Sequence, residues 1–104
     1  MKRYRIEAEP AVEADVEAAF DWYEIEEPGL GLEFLEELRA AYHRILDSPL
    51  GYQELRFSIR RALTRRFPYA IYFSVEDDII IVVAVLHTAR DTAAWQLRIG
   101  GNKE

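Results

Sequence analysis

Cysteine is absent from the 104-residue sequence, which excludes disulfide frameworks, zinc ribbons and thiol nucleophiles together. Lysine is nearly absent too, with only Lys2 and Lys103 at the two ends. Long apolar runs are missing: the longest, Ile79 to Leu86, falls far short of the ~20 residues a membrane-spanning helix needs. The opening MKRYRIEAEP has early basic residues but no apolar stretch behind them, so no secretory signal is expected. Neither a glycine-rich phosphate loop nor a GxSxG elbow is present, which removes the nucleotide-binding and hydrolase readings that carry those signatures. With two histidines and no cysteine, no metal site is expected, and nothing implies a cofactor. The expectation is a soluble cytoplasmic protein without membrane partners.

What is present is an ordinary globular mixture, 50% hydrophobic and 31% charged, of a length that suits one domain. The domain is expected over residues 1–99, with 100–104 as a flexible tail. The net charge of −6 conceals an asymmetry. Residues 1–55 hold 5 Lys/Arg against 14 Asp/Glu, and residues 56–104 hold 8 against 5. Arg56, Arg60, Arg61, Arg65 and Arg66 follow one another with no acid between them. Opposite signs in two halves suggest a partner surface, an anion being one candidate, or equally a solvated basic edge beside acidic helices.

Tyr4, Ile6 and Ala8 alternate with charged residues, a half-buried strand. Pro10 suits the first position of a helix. Val12, Val16, Ala19, Phe20 and Tyr23 continue at helical spacing, with Glu13, Asp15, Glu17 and Asp21 off that stripe or at its margins and Trp22 on its flank. The segment EEPGLG (Glu26 to Gly31) is a turn. A second helix carries Leu35, Leu38, Tyr42 and Ile45, with Glu33, Glu36 and Glu37 early, where the helix dipole favours acids. His43 falls opposite Leu38 and is expected in solvent. Strands are expected over Phe57 to Thr64, Phe67 to Val75 and Ile79 to Leu86. The last has no alternation, so both its faces should be buried in a central strand. Asp91 or Thr92 can cap a short final helix with Trp95 and Leu97. The fold class is therefore α+β, in the order β-α-α-β-β-β-α, with a curved, mostly antiparallel sheet and a helical hairpin on one face.

That order, the turn PGLG, the run RRALTRRFPYAIYF (Arg60 to Phe73) and AVLHTARD…W..R (Ala84 to Arg98) resemble the RelE/ParE superfamily of toxins from type II toxin–antitoxin modules. The likeness covers roughly Tyr4 to Arg98, and FPY with H-x-x-R-D is most like the ParE branch. It implies a toxin, of the kind associated with plasmid stabilization, held inactive by a cognate antitoxin. ParE-type members are implied to be DNA gyrase inhibitors, and RelE-type members to cleave mRNA on the ribosome. Cleavage through the 2′-hydroxyl needs an acid or base and cations around the phosphorane. His87 would be the acid–base group, and Arg60 and Arg90 the clamp. RelE-type ribonucleases tend to be strongly basic, unlike this chain, and no tyrosine follows Tyr72 as a late phenol. The structural alternative for His87 is a strand-end residue that orients the final loop, bonded to Asp91 or a backbone carbonyl. Arg60, Arg61, Arg90 and Arg98 are the expected target-binding set. Trp22, Phe34 and Leu38 are expected to receive the antitoxin in a groove of the helical hairpin.

Overall fold

A computed structural model describes residues 2–91 and 93–102. β1 (Arg5–Ala8) leads into α1 (Pro10–Glu26) and α2 (Leu30–Asp47). A single 3-10 turn (Pro49–Gly51) precedes β2 (Gln53–Glu54), β3 (Arg60–Leu63), β4 (Tyr69–Glu76), β5 (Ile79–His87) and α3 (Ala94–Asn102). Pro10 opens α1, where its missing N–H costs nothing and its fixed φ fits the first turn. No side chain next to α2 caps that helix. Its free N–H groups are met from α1 instead: the Glu24 carboxylate accepts from Gly29 N (2.7 Å) and Gly31 N (3.0 Å). The turn closes through Gly29, at φ 92°, a backbone conformation that suits glycine.

The five strands form one mixed sheet in the order β1-β5-β4-β3-β2. β5 is interior, parallel to β1 and antiparallel to β4, as its unbroken apolar run requires. The ladder slips once: Tyr72 faces Ala84 but Phe73 faces Val82, leaving Val83 as an extra residue. The helical hairpin covers one face: Phe34 and Ile45 of α2 pack with Ile71, Phe73, Ile80 and Val82 of the sheet, each fully buried at 0% exposure. On the other face α3 covers part of the sheet through Trp95 and Ile99, and Trp95 stacks on Tyr72 at 5.3 Å and 15°. His43 is exposed, as its helical phase requires.

Several boundaries differ from the sequence expectation. β3 starts only at Arg60, because Phe57 and Ser58 sit at φ 60° and 61°. Ile59 N–H closes onto the Arg56 carbonyl around them, a tight hairpin turn whose two-residue β2 partner carried no period to detect. α3 continues to Asn102, into the segment expected as a flexible tail, while Lys103 and Glu104 lie outside the described residues. Thr92, one candidate cap, also lies outside them. Of the described residues, no helix is long and apolar enough to cross a membrane.

Candidate functional site

β1 ends at Ala8, so beyond Val82 the flank of β5 has no neighbouring strand. Backbone groups left there need partners, and side chains supply them. The Asp15 carboxylate, on α1, accepts from Val85 N (3.0 Å). It also holds Arg98 of α3 through both guanidinium nitrogens, at 2.7 and 3.0 Å. Arg98 Nη1 donates in addition to the Val83 carbonyl (2.8 Å). The hydrogen bond to Asp15 holds the Arg98 proton more firmly than usual, against the opposing effect of burial. The sequence pattern puts Asp15 off the apolar stripe or at its margin. Its spacing of three from Val12 and four to Ala19, the two buried residues of α1, places it on the sheet-facing side.

The segment HTARD then folds on itself. The His87 N–H donates to Asp91 Oδ2 (3.3 Å), and Asp91 N–H returns to the His87 carbonyl (3.2 Å). His87 Nδ1 accepts from two backbone groups, Ala89 N (3.0 Å) and Arg90 N (3.1 Å). The imidazole therefore builds the turn that aims Arg90. Arg90 donates to the Tyr69 hydroxyl (3.0 Å) and lies over the Trp22 ring, 5.6 Å from its centroid. Burial pushes the Tyr69 phenol above its ordinary value, although the nearby Arg90 charge draws it down. By accepting from Arg90, the Tyr69 hydroxyl fixes where that guanidinium stands. Trp22, Tyr69, Arg90, Asp91, Asp15 and Arg98 line an open groove of about 420 Å³.

The expected site residues do not come together as one set. Arg60 is committed to holding the segment before it: Nη1 donates to the carbonyls of Tyr52 (2.7 Å) and Leu50 (3.3 Å), and Nη2 pairs with Glu54 (3.4 Å). Arg61 reaches Gln53 Oε1 (3.4 Å). Arg61 pairs with Tyr72 of β4, which faces Ala84 of β5. That is two strands over and three residues short of His87, or roughly 10 Å in each direction. His87, Arg60 and Arg90 thus do not enclose one phosphate, and Arg98 is tied to Asp15. Only Arg90 stands beside His87.

The antitoxin candidates also divide. Trp22 is 51% exposed on the Arg90 groove, whereas Phe34 is 0% and Leu38 6% exposed. Phe34 is a core ring, packed between Tyr23, Phe67 and Tyr69. Leu38 floors a separate groove of about 680 Å³ with Val16, Phe20, Leu35 and Tyr42. Among the described residues no group of three or more His, Asp or Glu side chains could hold a metal ion. Asp15 and Tyr69, which position the corner, escaped the sequence reading. Only helical phase could have marked Asp15, and nothing local marks Tyr69.

A search of curated proteins finds no match. Among solved structures, the chromosomal ParDE TA system from P. aeruginosa is similar at a TM-score of 0.72 and 16% identity, over 82% of this chain and 96% of that one. At such identity the likeness speaks for the fold. The family model for the ParE toxin of the type II toxin–antitoxin system parDE matches residues 6–92. That match spans β1 through the HTARD corner, and the chain therefore belongs to the ParE toxin family of type II toxin–antitoxin systems.

Proposed function

We propose that this toxin works by binding, with DNA gyrase as its target, and that a cognate antitoxin silences it in the cytoplasm by covering the Trp22–Arg90 groove. One observation carries the reading: His87 Nδ1 is occupied by the backbone N–H groups of Ala89 and Arg90. The Nδ1 lone pair is spent on the turn, so the ring has only Nε2 left to act on a substrate, and an acid–base group must be placed against one. Arg60 and Arg98 are likewise engaged inside the molecule. Arg90 is left as an exposed cation over a half-open tryptophan, a pairing of the residue types that dominate protein–protein binding energy.

The alternative, an mRNA endoribonuclease acting on the ribosome, predicts the opposite mutational pattern. His87→Gln retains a backbone-accepting side chain without imidazole chemistry. It should keep gyrase inhibition within a few-fold, and neither it nor the wild type should cleave mRNA in a translation extract. Arg90→Glu should abolish supercoiling inhibition while the fold persists by circular dichroism. Ribosome-dependent cleavage by the wild type, lost by about 10²–10⁴-fold in His87→Gln, would replace this reading with the ribonuclease.

A further inference from the structure

The face of the sheet opposite the helical hairpin is only partly covered, and what remains has a composition of its own. α3 shields Ala70, Tyr72, Ala84 and Leu86. Beside α3 lies a hollow of about 480 Å³ whose walls include Glu9, Phe57, Ser74, Ile81, Val83 and Ile99. Three large apolar side chains are exposed on this side: Phe57 at 45%, Leu63 at 56% and Leu97 at 75%. Leu63 shares the face of its ladder partner Ala70, and Leu97 points away from the sheet because Trp95 and Ile99 point toward it.

Phe57 stands on this face at a conformational cost. The turn from Arg56 to Ile59 has both central residues in the left-handed region, the geometry for which Asn-Gly is the favoured pair. A phenylalanine followed by a serine is an expensive choice there. Left-handed strain in non-glycine residues persists where the surroundings or a function require it. The Arg56 guanidinium lies over the Phe57 ring at 5.1 Å, so the turn presents an aromatic and a cation together.

The charges on this face are mixed at one edge and basic at the other. Along β1, Glu7 and Glu9 share the face with Arg5, which pairs with Glu7 at 3.3 Å, and Glu76 of β4 lines the hollow. Arg56 and Arg61 stand on the β2–β3 edge, Arg61 on the same face as its partner Tyr72. A two-fold axis lying in this face and running along the strands carries the Glu9 end of the β1 edge onto the Arg61 edge of the other copy. Level matters as well as side. Glu9 follows Ala8, whose partner is Val82, and Arg61 stands level with Ala84 through Tyr72, so the two meet at similar height. An isologous interface needs a patch complementary to itself in this way.

We infer that this face pairs with a second copy of the chain as a two-fold dimer, Phe57 of each copy filling the hollow beside α3 of the other. The molecule is flat, 39 × 35 × 21 Å, so its broad face can supply the ~800 Å² per partner of a standard interface. The Trp22–Arg90 groove opens at the flank of β5 between α1 and α3, and its Trp22 wall, rising from α1 on the other face of the sheet, stays open in such a dimer.

Sedimentation velocity of the purified protein over a concentration series tests this without reference to gyrase or toxicity, so its outcome is independent of the proposed target. The wild type should show a concentration-dependent monomer–dimer equilibrium. Phe57→Gly should weaken association at least about tenfold and raise the thermal midpoint of the dilute monomer, since glycine relieves the turn. Arg61→Glu and Glu9→Arg should each weaken association, and the double exchange should restore it. A wild type that stays monomeric throughout overturns the inference, as does association that survives both Phe57→Gly and the charge reversals. A lowered midpoint for monomeric Phe57→Gly also overturns it, since Phe57 would then serve its own fold.

Discussion

At the scale of single residues, Asp15 does the work of a missing strand. Its carboxylate meets one backbone N–H of β5 and one arginine of α3, with its side chain only 9% exposed. Removing one partner from such an arrangement strands the other and leaves a backbone donor bare. Asp15→Ala should therefore cost about 3 kcal/mol, read from urea denaturation, and Asp15→Asn less, since the amide oxygen still accepts from Val85. Tyrosines give a second residue-level outcome. Burial raises the Tyr42 phenol above its ordinary value, with the Asp15 charge adding to it, and burial likewise raises Tyr23 and Tyr69. Below about pH 10, the ordinary tyrosine value, folded and unfolded states hold these protons equally. Above it the unfolded chain releases them first, so stability falls as pH rises. Tyr42→Phe should flatten that alkaline decline, and matched urea titrations on either side of pH 10 measure it.

At the scale of elements, the α1–α2 junction depends on one side chain reaching back over the turn. A Cβ at Gly31 would lie 2.7 Å from Glu24 Oε1 and 2.8 Å from the Phe20 ring, displacing the carboxylate that caps α2. Gly31→Ala should cost about 1–3 kcal/mol despite alanine's better helix propensity, and thermal denaturation beside Glu24→Ala would show both losses sharing one cause. Elements are also where the sequence was most legible. Period-two and helical spacing revealed β1, α1, α2, β4 and β5, because each of these buries one stripe or both faces. Less came through where side chains answer to distant partners. The Phe57 turn reads as strand because Phe57 and Ile59 alternate with polar residues, while a left-handed φ leaves no trace in hydrophobicity. His87, Arg90 and Trp22 could be named as candidates from residue type. Their assembly depends on Tyr69 and on the end of β1, neither of which is a local property. Arg60 and Arg98 look alike in the sequence and are separated only by what they hold.

At the scale of the whole molecule, part of the charge asymmetry between the two halves is satisfied internally. Arg66 pairs with Glu33, Arg65 N–H donates to Glu37, and Arg44 also reaches Glu37, so the β3–β4 turn rests on α2. Such exposed pairs contribute little stability each but orient the hairpin over the sheet. The strand order has a consequence in time. β1 pairs with β5, Arg5 opposite Ile79, so among the described residues the first strand has its sheet neighbour in the last. Until residues 79–82 have been made, β1 and α1 have no sheet to close against, and long-range pairing of this kind is slow. A nascent chain lacking β5 should show no native-like protease resistance at α1, which limited proteolysis of arrested chains would reveal. For a toxin, this delay confers safety: the Trp22–Arg90 corner, drawn from α1 and from beyond β5, cannot exist on a half-translated chain. On the function proposed above, the target-binding surface forms only after β5 has been made, giving an antitoxin already in the cell the opportunity to meet it as it forms.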